Sequence, residues 1–283
     1  MIQVLISGLF LGGVYALLAV GLSLAFGIMG VLNLAHGSLA VLAAILYKKS
    51  LVLFPFSPWT FCVLATPVFF GFGFLLHFII VAPFRNLSLS AGVVASLIAS
   101  LGLALILEDL FVWWQGWESI STNITFSTFN LMGLKIPGLR AILLAMAAVT
   151  IGLCTLFLKK TDAGRSMRAL AQDKEAASLY GINPGFTSMG AMGLATILAG
   201  VAGIFYSSLY PLGPREGLDL TLKALFIVVA GGMGNLRGPA VAGLALGFIE
   251  SFAGFLFTYT STDTVVYSLL VAYLVIKRGG RQQ

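Results

Sequence analysis

Glu250 stands about midway along the apolar run 238–258 and is the ionisable group that most needs a reason in this chain. A charge near the centre of a bilayer costs roughly 2.5–3.5 kcal/mol on insertion scales, so such groups mark a path or find a partner. Three roles stay open for it: lining a substrate path, pairing with a basic group on a neighbouring segment, or packing as a protonated, hydrogen-bonded carboxyl. Glu108 and Asp109 lie near the outer end of the run 91–114, where a solvated mouth accounts for them, a cation-attracting vestibule being the alternative. Lys223 is close enough to the end of the run 220–234 to snorkel to water. His36 sits in a glycine-flanked turn, where a ring nitrogen can reach a freed backbone carbonyl, and His77 reads as a packed or interfacial histidine. Neither histidine has a companion at metal or triad spacing. Cys62 and Cys154 lie in separate apolar runs and form no metal spacing or disulfide framework. This is not the residue set of an enzyme, and no cofactor or metal site is expected.

The one strongly charged stretch runs from Lys159 to Asn183, inside a coarser loop of 159–186. Lys159, Lys160, Arg165, Arg168 and Lys174 put five of the sixteen basic residues there, which places the loop in the cytoplasm by the positive-inside bias. Asp162 reads as the N-cap of a single amphipathic helix that Gly181 ends, and Asn183-Pro184 opens the next span. Met167, Leu170, Ala171 and Ala177 or Ser178 fall on one face, with Arg168, Gln172, Asp173 and Glu175 on the other. Such a helix lies along the surface, either presented to a soluble partner or resting on anionic lipid; acids on its polar face favour the partner.

The elements that must carry these residues follow from composition. The chain has 283 residues, 59% hydrophobic and 9% charged. Soluble domains carry roughly 25% charged residues, so this is an integral membrane protein. The apolar runs are continuous rather than alternating, which excludes a transmembrane barrel. The expected fold is all-α and polytopic: one transmembrane domain over 1–283, about eight spanning helices with or without re-entrant or broken pieces, and one cytoplasmic helix. Candidate spans are 2–27, 32–53, 59–82, 91–114, 139–158, 187–209, 220–234, 238–258 and 263–276. With the charged loop inside, alternation puts the N-terminus outside and the C-terminus inside, and ten basic residues then face the cytoplasm against six outside. The start lacks a positive n-region, so no cleaved signal peptide is expected. A net charge of +6 is explained by loops that orient the spans, not by nucleic acid. Trp113, Trp114 and Trp117 read as an interfacial belt, or as a landing surface for an external partner.

Small residues recur every four positions at Gly8, Gly12 and Ala16, at Ala195, Ala199 and Gly203, and at Gly243, Gly247 and Ser251. In lipid this spacing lets helix backbones approach closely. Two segments look alike: G-I-M-G-V-L-N-L-A-H-G from Gly27 to Gly37, and G-G-M-G-N-L-R-G-P from Gly231 to Pro239. Glycine-broken helices in corresponding halves point to a transport path or a hinge beside it; ordinary tight turns are the alternative. Asn33, His36, Gly37, Gly231, Gly232, Asn235 and Glu250 are therefore the candidate path or hinge residues.

The stretch G-R-S-M-R-A-L-A-Q-D-K-E-A-A-S-L-Y-G-I-N from Gly164 to Asn183 resembles the EAA-type coupling loop of ABC-importer permeases. It is similar in particular to the branched-chain amino acid permease family, with G-R-x-x-R-A-x-A-x-D-x-E-x-A-x-x-x-G-I-N. Gly12 to Gly27 resembles that family's first span, Asn33-Leu-Ala-His-Gly37 its N-x-A-H-G turn, and Gly231 to Pro239 its late glycine segment. The resemblance runs in order along essentially the whole chain. It implies an inner-membrane permease for branched-chain or other hydrophobic amino acids, with a second related permease, two cytoplasmic ATP-binding subunits and a periplasmic substrate-binding protein as partners, beside membrane lipid. Gly164, Arg165, Arg168, Ala169, Asp173, Glu175, Ala176 and Gly181 would then couple to the ATPase. No G-x-x-x-x-G-K-[ST] loop occurs in the chain, so ATP would be bound by the partner subunits. Related permeases for urea or short amides are an alternative, as is an ion-coupled secondary transporter, for which Glu250 would be the midplane acid.

Overall fold

Helices dominate the computed structural model, which describes residues 2–256 except 55, 85, 123–127 and 132–133, together with 264, 267 and 268. In chain order they are α1 (Ile2–Met29), α2 (His36–Leu53), α3 (Pro58–Ile80), α4 (Leu89–Gln115), α5 (Gly138–Lys160), α6 (Asp162–Gln172), α7 (Lys174–Leu179), α8 (Pro184–Leu209), α9 (Gly217–Gly231) and α10 (Arg237–Leu256). Between α4 and α5 lies a small antiparallel hairpin of β1 (Thr128–Leu131) and β2 (Leu134–Pro137), paired from Thr128↔Pro137 to Leu131↔Leu134. The spans themselves are helical because a backbone in hydrocarbon must satisfy its own hydrogen bonds. Among the described residues, seven helices are long and apolar enough to cross a membrane: all but α6, α7 and α9. The expected final span, 263–276, lies mostly outside the described residues.

α1 is the central element, and its middle, from Tyr15 through Val20, is almost wholly buried. It packs on α10 through the expected small-residue stripes. A Cβ at Gly12 would sit 2.7 Å from Leu244 Cα, and one at Gly243 would sit 2.6 Å from Ala16 N. Gly203 of the Ala195–Ala199–Gly203 stripe abuts Ala40 of α2. Outward faces of α3, α4 and α5 expose Val63, Leu64, Ile98, Ile106, Val149 and Leu153, the residues such surfaces show to lipid.

Two elements depart from simple spans. α9 has 15 residues, about 22 Å at 1.5 Å per residue, short of the roughly 30 Å hydrocarbon core. α2 starts deep in the bundle: His36 Nε2 lies 3.1 Å from Leu18 O. Leu18 is eleven residues before the end of α1, about 16 Å along its axis. Residues 30–35 therefore run back up beside α1 before helix resumes, and the break is a re-entry, not a tight turn.

Candidate functional site

The charged loop is two helices, not the single one expected. Thr161, and not Asp162, caps α6: its hydroxyl accepts from Gly164 N at 3.0 Å. Asp162 occupies the first turn and pairs with the exposed Arg165. At Asp173 the backbone is extended, and its carboxylate accepts from Glu175 N and Ala176 N at 2.9 and 3.0 Å. That side chain offers the backbone a fresh N-cap, which ends one helix and starts the next. Gly181 follows α7 with φ +81°, and Asn183 caps α8 with Pro184 at its first turn, as the sequence predicts.

The loop's residues divide by what they face. Gly164, Met167, Leu170 and Ala177 are buried, and Ala169 and Ala176 half-buried. A Cβ at Gly164 would lie 2.5 Å from Leu158 Cα, so this glycine seats α6 on the end of α5. Arg165, Arg168, Asp173, Glu175 and Gly181 are exposed. So are Leu179 and Tyr180, at 87% and 88%, two large apolar side chains beside charged ones. The pair lies outside the face of Met167, Leu170, Ala171 and Ala177 that helical spacing picks out, and no motif marks it.

Behind this surface the loop holds the broken ends of the spans. Lys174 Nζ donates to Met29 O at 2.7 Å, capping the last turn of α1, where a cation suits the helix dipole. Partial burial pulls this ammonium below the ordinary lysine value. Next to it Gly30 has φ +71°, a left-handed conformation suited to glycine. On α1, Ser23 Oγ donates to Asn235 O at 2.9 Å, tying the helix to the α9–α10 turn. Gly27 and Gly234 touch: a Cβ at Gly27 would be 2.8 Å from Gly234 Cα. The look-alike segments thus meet at one end of the bundle.

Locally the two segments are built alike. Asn33 Oδ1 accepts from Ala35 N, and Asn235 Oδ1 accepts from Arg237 N, both at 3.0 Å. Each asparagine turns the chain into the following helix. Asn33 is 1% exposed and its amide faces Met192 Sδ, whereas Asn235 is exposed. Gly231 and Gly238 cross closely, with a Cβ at Gly231 only 2.6 Å from Gly238 O, while Gly232, at φ +98°, faces open space. The second break is therefore a tight glycine turn, unlike the first.

Deeper in, the start of α2 meets the start of α9. Gly37 N donates to Thr221 Oγ1 at 2.8 Å, and that hydroxyl lies 2.9 Å from Leu34 O. Leu34 N donates to Ser100 Oγ at 3.1 Å. Glu108, expected at a solvated mouth, is buried instead and accepts from Leu218 N at 2.9 Å, while exposed Asp109 pairs with Arg215 at 2.6 Å. A carboxylate at a helix N-terminus satisfies an orphan donor and the dipole together. The two helix starts are held by each other and by α4.

Lys223 corrects the snorkelling expectation. It is 4% exposed, with Nζ 3.3 Å from Glu250 Oε1 and 3.5 Å from Asp219 Oδ2. The start of α9 is packed inside the bundle, with Gly217, Leu220 and Thr221 buried, so Lys223 faces its acidic partners and not water. Glu250 takes the pairing role among its three, and Asp219 also meets the Tyr267 hydroxyl. Tyr15 of α1 places its ring 5.9 Å from the same ammonium.

Comparison with known proteins agrees with this architecture. Residues 4–276 match the family described as branched-chain amino acid transport system / permease component. The chain is 25% identical over 297 residues to the high-affinity branched-chain amino acid transport system permease protein BraD of Pseudomonas aeruginosa, covering 99% of this chain and 94% of that one. Against LivH of Escherichia coli, a permease protein of the same description, identity is 26% over 294 residues, with the same coverage. The probable branched-chain amino acid transport permease protein LivH of Methanocaldococcus jannaschii is 28% identical over 271 residues, covering 92% of this chain and 84% of that protein. PsaBC from Streptococcus pneumoniae, solved in complex with Fab, shares the fold at a TM-score of 0.50 and 17% identity, over 95% of this chain and 89% of that chain. The chain, a multi-pass membrane protein, belongs to the branched-chain amino acid transport system permease component family.

Proposed function

We propose that this chain is one permease subunit of an ABC importer in a bacterial inner membrane, carrying branched-chain or other hydrophobic amino acids. The 159–186 loop faces the cytoplasm and docks an ATP-binding subunit. A second related permease completes the path, a second ATPase serves that partner, and a periplasmic protein delivers substrate. The whole of 1–283 acts as a single permease domain. The observation that carries the reading is the two-sided character of the loop. Exposed Leu179 and Tyr180, with exposed Arg165, Arg168, Asp173 and Glu175 on the same loop, present apolar anchors and charge to a partner. From the same loop Lys174 reaches the broken end of α1. A partner that shifts the loop therefore shifts the break.

Within the bundle, Asn33, His36, Gly37, Gly231, Gly232 and Asn235 act as the joint around which the re-entrant segments move. Their side chains and backbones hold the helix ends and do not need to touch substrate. Glu250, neutralised by Lys223, is no longer the lone midplane acid that ion coupling calls for, which favours an external energy source. The test is a pull-down from detergent with the intact chain and with residues 163–181 replaced by a Gly/Ser linker. Recovery of a nucleotide-binding ATPase with the intact chain alone is expected. Equal recovery, or none with either, contradicts the docking role.

A further inference from the structure

We propose that a cavity beneath the loop holds the phosphate-bearing headgroup of an acidic phospholipid. The cavity, of about 280 Å³, opens between α1, α5, α6 and the α9–α10 turn. Three cations from three different helices line it: Lys159 at the end of α5, Arg168 of α6 and Arg237 at the start of α10. No acidic side chain contributes to the wall. Of the other loop cations, Arg165 is held by Asp162 and Lys174 by the Met29 carbonyl, while Lys160 lies outside the cavity wall. Among the described residues, Lys159, Arg168 and Arg237 form no ion pair. All three are exposed, and an anion among them would relieve their mutual repulsion, while the two guanidinium forks match phosphate oxygens geometrically.

Position decides between a lipid and a free phosphate. The inner wall is apolar, with Leu24, Ile28 and Leu158. The adjoining face of α5 exposes Val149, Leu153 and Leu156, along which acyl chains would run. Basic pockets of this kind beside spanning helices, on the cytoplasmic side, suit anionic headgroups. The inference rests on the cytoplasmic placement of the loop and not on the ATPase, so it and the pull-down can fail separately. A bound headgroup would bridge α6 to the α9–α10 turn across the same joint that Ser23 closes on Asn235.

The test uses the purified full chain and dihexanoyl phosphatidylglycerol, with dihexanoyl phosphatidylcholine and inorganic phosphate as separate arms, read by native mass spectrometry and thermophoresis. Saturable binding of the glycerol lipid is expected, at least tenfold tighter than the choline lipid. Each Lys159→Gln, Arg168→Gln or Arg237→Gln change should weaken it about fivefold, the effect of roughly one surface cation. Charge-keeping swaps (Lys159→Arg, Arg168→Lys, Arg237→Lys) should bind within threefold of wild type, which separates charge from folding. Lys160→Gln, outside the cavity wall, should leave binding unchanged. Equal binding in wild type and the glutamine variants overturns the site. Displacement by millimolar phosphate, with no preference between the lipids, overturns the lipid as its occupant.

Discussion

The ammonium of Lys223 lies among Asp219, Glu250 and the Tyr15 ring, with little access to water. Taking one partner from a buried pair leaves a charge without compensation, which costs roughly 3–5 kcal/mol. Lys223→Met is therefore expected to lower the thermal midpoint in detergent sharply. Adding Glu250→Gln should recover a large part of the loss, and the non-additivity of the double-mutant cycle measures the pair directly. Additive losses would show that the two residues do not act together. The sequence marked Glu250 as needing a reason but did not supply Lys223 as that reason. The two are 27 residues apart on different helices, and nothing in their spacing pairs them. Thr221 escaped notice, and Glu108 was placed at a solvated mouth, for the same cause: each satisfies a backbone group of another element, and such bonds leave no periodic trace.

At the scale of elements, Asp173 governs the geometry of the loop. Its carboxylate separates α6 from α7; an Asp-to-Ala change at an N-cap costs about 1 kcal/mol. Asp173→Ala should let α6 run on into α7, re-aim Leu179 and Tyr180, and reduce ATPase recovery in the pull-down while insertion and yield stay normal. Unchanged recovery would mean that the break does not set the docking surface. Sequence reading found the C-terminal end of this loop because Gly181 and Asn183-Pro184 are local signals. It missed the break because Asp173 also fits the polar face of one continuous helix. A D-K-E run, with an acid at the cap and another in the next turn, was the signal available. Hydropathy gave 220–234 as a candidate span and left open which runs re-enter, because it reports what lipid or core tolerates and not where a helix begins.

Across the whole molecule, α1 and α10 form the spine. Their small-residue stripes were legible because close packing in lipid demands them at fixed spacing. Gly12→Leu would drive a side chain into Leu244 of α10. It is expected to yield protein that inserts yet melts earlier and is more readily cleaved by protease in the 159–186 loop; a native melting profile would contradict the packing. The same spine ends at Met29, where Lys174 joins it to the loop. The most direct measurement compares uptake and ATP hydrolysis in proteoliposomes holding the complete transporter, wild type or Lys174→Met. Loss of the charged bond to Met29 O should leave hydrolysis within about twofold of wild type while uptake falls about tenfold or more, from a bond to a charged group worth roughly 1.5–3 kcal/mol. Uptake that stays at the wild-type level would contradict the account, because the loop would then drive the bundle without holding the end of α1.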